Sequence, residues 1–475
     1  MKNYRLNKLY KLWRLATLGL ILVVSCSKGD RPTPISSVIP SGELPTIKPR
    51  GNENYLKGNS DYIYNQEKVK TFELIIKDKD LEKLNFDPVN QDYVEGALIF
   101  EGDTISPIGV RYKGSIGAFA GCLSNPDWTR PSGQKVCEKL SLQIKINWKE
   151  RKERFFDLNK LQFHAQNYDK SQLRERLAYW LFAEMGVPSP RSVHARLLIN
   201  KKYSGLYGLT EEVDNRFAEY FYKEGKGNIY KEVWPLKANG EVQSDAELIN
   251  ALKTNEEQQD IGLIKEFGQA IAASNASNNK DVVRKYMKIN ELMSYVVVDR
   301  AIRHDDGPFH WYCNNETVNS CTNHNYYWFE DKKNRKMHLI PWDMDGTFEH
   351  VIKNANEYTS LADKWGGTSN NCLPFAKGSG NLKHRSAACE KLTAAWVAFD
   401  QEYASIKSDF QTNFVSNDKI LTQLDKWAKQ IEPYIIEADN IHNKDIMYAA
   451  NKRTTTLLVW QNATNTLRSQ VKAIQ

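Results

Sequence analysis

Near residue 232 the hydrophobic period of this chain shifts from mostly strand-like to mostly helical, and that shift constrains the fold more than any other feature. Up to about residue 232, short runs of β-branched and aromatic residues recur at 71–76, 97–102, 109–114, 140–148 and 160–165, with turn residues between them. One helix interrupts these strands, from about Lys170 to Met185, stopped by Gly186, Pro188 and Pro190. A hairpin follows over 193–213, turning at 200–205, and then a short strand at 228–232. Beyond it the spacing becomes helical: helices are expected at 245–256, 258–274 and 279–303, then a hairpin over 325–343 and a largely helical last hundred residues. Strands first and helices afterwards predict an α+β fold, and the roughly 410 residues involved exceed the usual single-domain size.

The N-terminus predicts an address. Lys2, Arg5, Lys8, Lys11 and Arg14 precede the apolar stretch Leu15 to Val24, too short to span a bilayer but suited to the core of an export signal. Residues 1–25 therefore read as a targeting segment. It ends in VVSC, which resembles a bacterial lipobox and assigns Cys26 as the lipidated residue; ordinary secretion with cleavage nearby is the alternative. Several acyl chains would anchor the protein durably to the membrane, each buried methylene adding about 0.8 kcal/mol. Residues 26–65, rich in Pro, Ser, Gly and Lys, read as a flexible tether. The expected location is the bacterial cell envelope, outside the cytoplasm: the outer membrane or cell surface in a Gram-negative cell.

Setting aside the five basic residues of the targeting segment lowers the formal net charge from +7 to +2. A nearly neutral body without a basic, aromatic-interleaved stripe predicts no nucleic-acid partner, and the run KERKER at 149–154 reads as a solvated turn. Six further cysteines fall as local pairs: Cys122 with Cys137, Cys313 with Cys321, Cys372 with Cys389. An even count in an exported chain predicts disulfides, and nearest-neighbour pairing closes three short polar loops, each contributing roughly 2 to 3 kcal/mol. Zinc ligation is the alternative, but no CxxC spacing or accompanying His pair supports it.

The segment IPWDMDGTF, 340–348, carries Asp343 and Asp345 two residues apart behind an apolar run. On a strand, alternation sends both acids to one face, where they can share a divalent cation; a strand ending in an Asp345-Gly346 turn, with both acids solvated, fits the same letters. DMDGT also matches the first motif of the haloacid dehalogenases. That fold needs alternating strands and helices afterwards, whereas the 128 residues after Thr347 read as helices and a cysteine loop.

RHDDG (303–307), HNYYWFED (324–331) and IPWDMD, together with GVRYKGS (109–115), LQIKIN (142–147), SQLRERLAYWLFAEMGVPSPR (171–191), INKKYSGLYGLTEEVD (199–214) and NIYKE (228–232), resemble the CotH family of spore-coat-type, secreted, atypical protein kinases. The resemblance covers about residues 70–350. It implies a two-lobed kinase-like fold with a β-rich N-lobe at 66–235, a C-lobe at 236–360 and a helical C-terminal region at 361–475. It also implies ATP and Mg2+ or Mn2+ as cofactors. Asp306 would accept the proton of the acceptor hydroxyl, and Asp343 would bind metal. Asn325 would be a second metal ligand by analogy with the catalytic-loop Asn of ordinary kinases, with Asp345 sharing the metal or supporting it.

Lys145, flanked by Ile144 and Ile146, would project from the opposite face of its strand and is the preferred phosphate ligand. Glu175 would hold it, although Arg174 and Arg176 beside that acid fit an exposed helix-surface network equally well. Arg111 and Lys113 precede Gly114 where the family has a basic residue before Gly, and the loop beyond, with Gly117 and Gly121, would cover the phosphates. Glu211 and Glu212 match an acidic position after GLY, as a nucleotide contact or a hinge. Two cysteine loops, 122–137 and 313–321, depart from the family pattern and flank the expected cleft; they either shape an acceptor site or obstruct nucleotide. The expected function is a lipid-anchored kinase transferring phosphate from ATP to Ser or Thr of a protein substrate. The alternative is a catalytically silent surface protein that binds a protein or glycan partner.

Overall fold

The computed structural model describes residues 53–442 and 455–474, apart from 120, 126, 128, 151, 224, 353–364 and 377–382. The targeting segment, Cys26 and the tether up to residue 52 lie outside the described residues. From Glu53 the chain is already packed: α1 (Asn54–Lys57) and α2 (Ser60–Ile63) bury Tyr55, Ile63 and Tyr64 against the first sheet. The stretch 53–65, expected within the tether, belongs to the body because those three apolar side chains have a core to enter.

Seven strands close a barrel in the order β1-β2-β3-β4-β5-β7-β6. They are β1 (Lys70–Ile76), β2 (Val94–Phe100), β3 (Asp103–Tyr112), β4 (Leu142–Lys145), β5 (Lys160–His164), β6 (Ser192–Ile199) and β7 (Lys202–Thr210). Neighbours are antiparallel except β1 and β6, whose parallel pairing removes the last free edge. Alternation fills the interior with Phe72, Leu98, Val110, Ile144, Phe163 and Leu197 and leaves the intervening polar residues outside. Between strands run α3 (Asp78–Phe86), α4 (Ile116–Phe119) and α5 (Arg174–Glu184). The Cys122–Cys137 disulfide lies in the long β3–β4 connection.

A second core gathers around α5 and the later helices: α7 (Asp245–Asn250), α8 (Gly262–Ala273), α9 (Asn279–Tyr286), α10 (Ile289–Ala301), α11 (Lys391–Val397), α12 (Asp400–Phe410), α13 (Lys419–His442) and α14 (Leu457–Lys472). They follow α6 (Asn215–Tyr222), which covers a three-stranded sheet, β12-β11-β8, formed by β8 (Asn228–Lys231), β11 (Tyr326–Asp331) and β12 (Lys336–Pro341). Every residue of β11 is buried, because Tyr327 and Phe329 meet α6 while Tyr326 and Trp328 enter the helical core. Tryptophans 311, 328, 396 and 427 are almost wholly buried in that core, so residues beyond 361 share it with those before.

Three sequence expectations need correction. The helix foreseen over 279–303 is two, broken where Met287 is extended and Lys288 follows in β conformation; no Gly or Pro marks the break, so periodicity ran through it. The helix foreseen from Lys170 begins at Arg174, because Asp169 accepts hydrogen bonds from the Ser171 and Arg174 amides (2.9 Å each) and caps it there. The C-terminal hundred also contains β13 (Phe375–Ala376) and β14 (Lys383–Ser386), which complete a four-stranded sheet, β10-β9-β14-β13, with β9 (His310–Cys313) and β10 (Cys321–Thr322). The letters KHRS of β14 show no apolar alternation; pairing with β9 holds it. Disulfides Cys313–Cys321 and Cys372–Cys389 staple this region, and all three cysteine pairs are near neighbours.

Candidate active site

The site starts from the outer face of the barrel. Arg111 on β3, Gln143 on β4, Gln162 on β5 and Thr210 on β7 lie in register across four strands, so their side chains share one face. Gln143 organises this row. Its Oε1 accepts hydrogen bonds from Arg111 (Nη2, 2.8 Å) and Tyr93 (2.6 Å), while its Nε2 donates to Glu212 (2.9 Å). Lys160 lies 3.2 Å from the other Glu212 oxygen. Burial opposes ionisation of Glu212, but Lys160 and Lys113 outweigh it and hold the acid below the usual carboxylate range. Glu211 faces elsewhere, paired with Arg191.

Lys113 leaves the end of β3 just before Gly114, whose φ of +146° and close approach to Ala118, 2.3 Å from where a Cβ would stand, admit no other residue without rearrangement. Its ammonium donates to Gln162 Oε1, stands 3.1 Å from His164 Nε2 and lies 5.3 Å from the centre of the Trp342 ring. Burial lowers its pKa to about 8, against the opposing pull of Glu212 and Glu175. Lys145 sits farther along the same face, opposite Gly109 and Lys160, and makes no hydrogen bond or ion pair among the described residues. Glu175 is therefore associated with His164 and Lys113, not with Lys145.

Helix α5 joins this face to the acidic loop. Arg174, Glu175 and Arg176 are all buried, so the exposed network expected at this helix is absent; the first turn is packed between the two cores. Glu175 Oε1 lies 2.7 Å from His164 Nδ1; burial works against its charge, yet His164, Lys113 and Thr210 together hold its pKa low. Arg174 donates to the Thr347 carbonyl and lies 3.4 Å from Asp169 and 3.6 Å from Glu349. One turn on, the Tyr179 hydroxyl accepts the Asp343 amide (3.1 Å). Two points of the loop 343–347 are thus fixed by one helix.

Asp306 follows α10 and is exposed. Its two oxygens accept hydrogen bonds from the Tyr312 hydroxyl (2.6 Å) and the Asn325 side-chain amide (2.8 Å). Asn325 and Asp343 both adopt φ of 58°, a left-handed conformation uncommon away from glycine, and the Asn325 amide donates to Glu232 (3.3 Å). Asp343 is accessible and Asp345 half-buried, and desolvation by the surrounding protein raises the pKa of both carboxyls. Glu175 and Asp306 push that of Asp343 up further, against Lys113; Asp343, Glu175, Asp169 and Asp306 do the same to Asp345. The sequence candidates Asp306, Asn325, Asp343, Asp345, Glu175, Glu212 and Lys113 thus gather at one place, with Arg111 at its rim and Lys145 beyond.

This acid cluster exceeds its local cations, and its donors are hard oxygens, the chemistry that suits magnesium or manganese. Among the described residues no three His, Cys, Asp or Glu side chains form a ready cage. Phosphate oxygens and water ordinarily complete a magnesium shell, so an Asp343, Asp345 and Asn325 donor set fits that ion. Sequence reasoning missed His164 and Lys160, although their alternation with Leu161 and Phe163 carried the signal; Tyr179, Tyr312 and Arg174 reach the site only through tertiary contacts.

The family model for CotH kinase protein matches residues 110–463. The chain belongs to the CotH kinase family. The match passes residue 350 and takes in most of the C-terminal helices, in keeping with the core they share with the rest of the CotH body. No curated protein matches the chain. The three disulfides of this family member indicate an extracytoplasmic protein, and among the described residues no helix is long and apolar enough to cross a membrane.

Proposed function

We propose that this CotH family member transfers the terminal phosphoryl group of ATP to a Ser or Thr hydroxyl of a protein, outside the cytoplasm and on a membrane to which Cys26 anchors it through lipid. The observation that supports this reading is that the hydrogen-bonded Asp306–Asn325 pair and Lys113 lie within electrostatic reach of Asp343. Phosphoryl transfer asks little covalent work of a protein; it needs neutralised phosphates and an oriented acceptor. Lys113, with one ammonium proton left after Gln162 and His164, supplies a donor to a phosphate oxygen, and Lys145 adds positive charge along the same face. Asp343, Asp345 and Asn325 would hold magnesium or manganese, which when bound neutralises charge on the triphosphate.

Asp306 acts on the acceptor. Its exposed carboxylate, fixed by Tyr312 and Asn325, orients the hydroxyl and takes its proton as the oxygen–phosphorus bond forms and ADP leaves. The test is incubation of the purified chain with labelled ATP, manganese and a Ser/Thr-rich protein acceptor, beside Asp306→Ala and Asp343→Ala. Label transfer is expected from the unsubstituted chain and a loss of at least about a hundredfold in each variant. Equal incorporation in all three would reject these roles.

A further inference from the structure

Building on the kinase reading, we propose that His164 is a positioning residue that joins Glu175 to Lys113 and aims the lysine at the nucleotide phosphates. Lysine and glutamate do not meet directly here; the imidazole spans them, with Nδ1 2.7 Å from Glu175 Oε1 and Nε2 3.1 Å from Lys113 Nζ. Both ends dictate the tautomer. An ionised carboxylate only accepts, so Nδ1 carries the hydrogen; the ammonium only donates, so Nε2 presents its lone pair. The ring is thereby an oriented dipole whose acceptor end faces the cation.

Its surroundings leave little freedom. Glu175 is buried and held from its other side by Gln166 (3.5 Å), and the edge of the Trp342 ring lies against His164 at 5.9 Å between centres. Trp342 precedes Asp343, so the same indole that walls the histidine also borders the acidic loop and stands 5.3 Å from Lys113. Spanning the pair with a ring instead of a direct contact sets the lysine one imidazole width farther from α5. Two of its three protons are then committed to Gln162 and His164, and the third direction is fixed.

The experiment measures magnesium–ATP affinity by calorimetry for the full chain, His164→Phe, His164→Gln, Glu175→Gln and the His164→Phe/Glu175→Gln double variant. Phe fills the ring space without either polar contact. A loss of about tenfold is expected, the scale of one charge-assisted hydrogen bond. Gln offers a donor and an acceptor at similar spacing and should stay within about threefold of the unsubstituted chain. Glu175→Gln should weaken binding alone but add nothing to His164→Phe, since the carboxylate acts through the ring. In label transfer the Phe variant should raise KM for ATP and leave kcat within about threefold, a split that general loosening of the fold does not give. Unchanged affinity in His164→Phe, or additive losses in the double variant, would overturn the inference while leaving the kinase reading intact; should the Phe variant fail to fold, a Gln variant weakened as much as Glu175→Gln overturns it equally. No magnesium–ATP binding by the unsubstituted chain would overturn the kinase reading and this inference with it.

Discussion

Replacing Arg174 with Met should uncouple the acidic loop from α5, and the structure sets the size of the effect. The guanidinium is buried, donates to the carbonyl of Thr347 and lies beside Asp169 and Glu349. Met keeps the stem and removes the charge. Thr347 is fully buried, so its orphaned carbonyl costs about 1 to 3 kcal/mol. Removing one partner of a buried ion pair costs about 3 to 5 kcal/mol, but Asp169 keeps the Ser171 amide, the Ser171 hydroxyl and the backbone amide of residue 174, which places the change at the low end of that range. Glu349 is one-third exposed and adds little. These contributions overlap, and a total of about 4 kcal/mol follows. A folded body of roughly 400 residues has an unfolding entropy of about 0.8 kcal/mol per kelvin, so Tm should fall by about 5 °C. Thermal unfolding followed by fluorescence reads the first quantity, and label transfer from ATP reads the displacement of Asp343. A Tm within about 1 °C of the unsubstituted chain, with unchanged transfer, would refute the claim that Arg174 holds the loop.

Two other outcomes follow from the same geometry. The lowered pKa of Lys113, about 8, means that its ammonium is present at neutral pH and lost as pH rises through that value, so nucleotide affinity of the free protein should fall on the alkaline side; an affinity flat from about pH 7 to about pH 9.5 would contradict its phosphate role. Replacing Cys313 and Cys321 together by Ser opens a link eight residues long and should cost about 2.5 kcal/mol. Because Tyr312 beside it holds Asp306, kcat should drop severalfold with ATP affinity retained; unchanged kcat would show that the staple does not support Asp306.

Much of the candidate site was legible because its residues sit at ends of regular elements. Asp343 and Asp345 follow an apolar strand, Asp306 lies in the turn after a long apolar helix, and Lys113 stands before a glycine that its turn requires. The partner of Glu175 was not legible in the same way. Lys145 and Lys113 both stand at strand ends, and only the closure of the barrel, with the first turn of α5 against His164 of β5, brings Lys113 and His164 to that acid. The strand β14 was hidden for a related reason: its letters carry no pattern, and its hydrogen bonds come from β9, seventy residues earlier in the chain.

Local chemistry written into the sequence determined the segregation of strands from helices, the pairing of neighbouring cysteines and the acids at 306, 343 and 345. Periodicity, short loop closure and turn residues act over a few positions and need no distant partner. Tertiary structure decided which cation faces which acid, where the long helix breaks, and that Arg174 and Tyr179 fix the loop that Asp343 sits on. Those choices depend on desolvation and on contacts between residues far apart in the chain, and such energies exist only once the two cores have closed around α5.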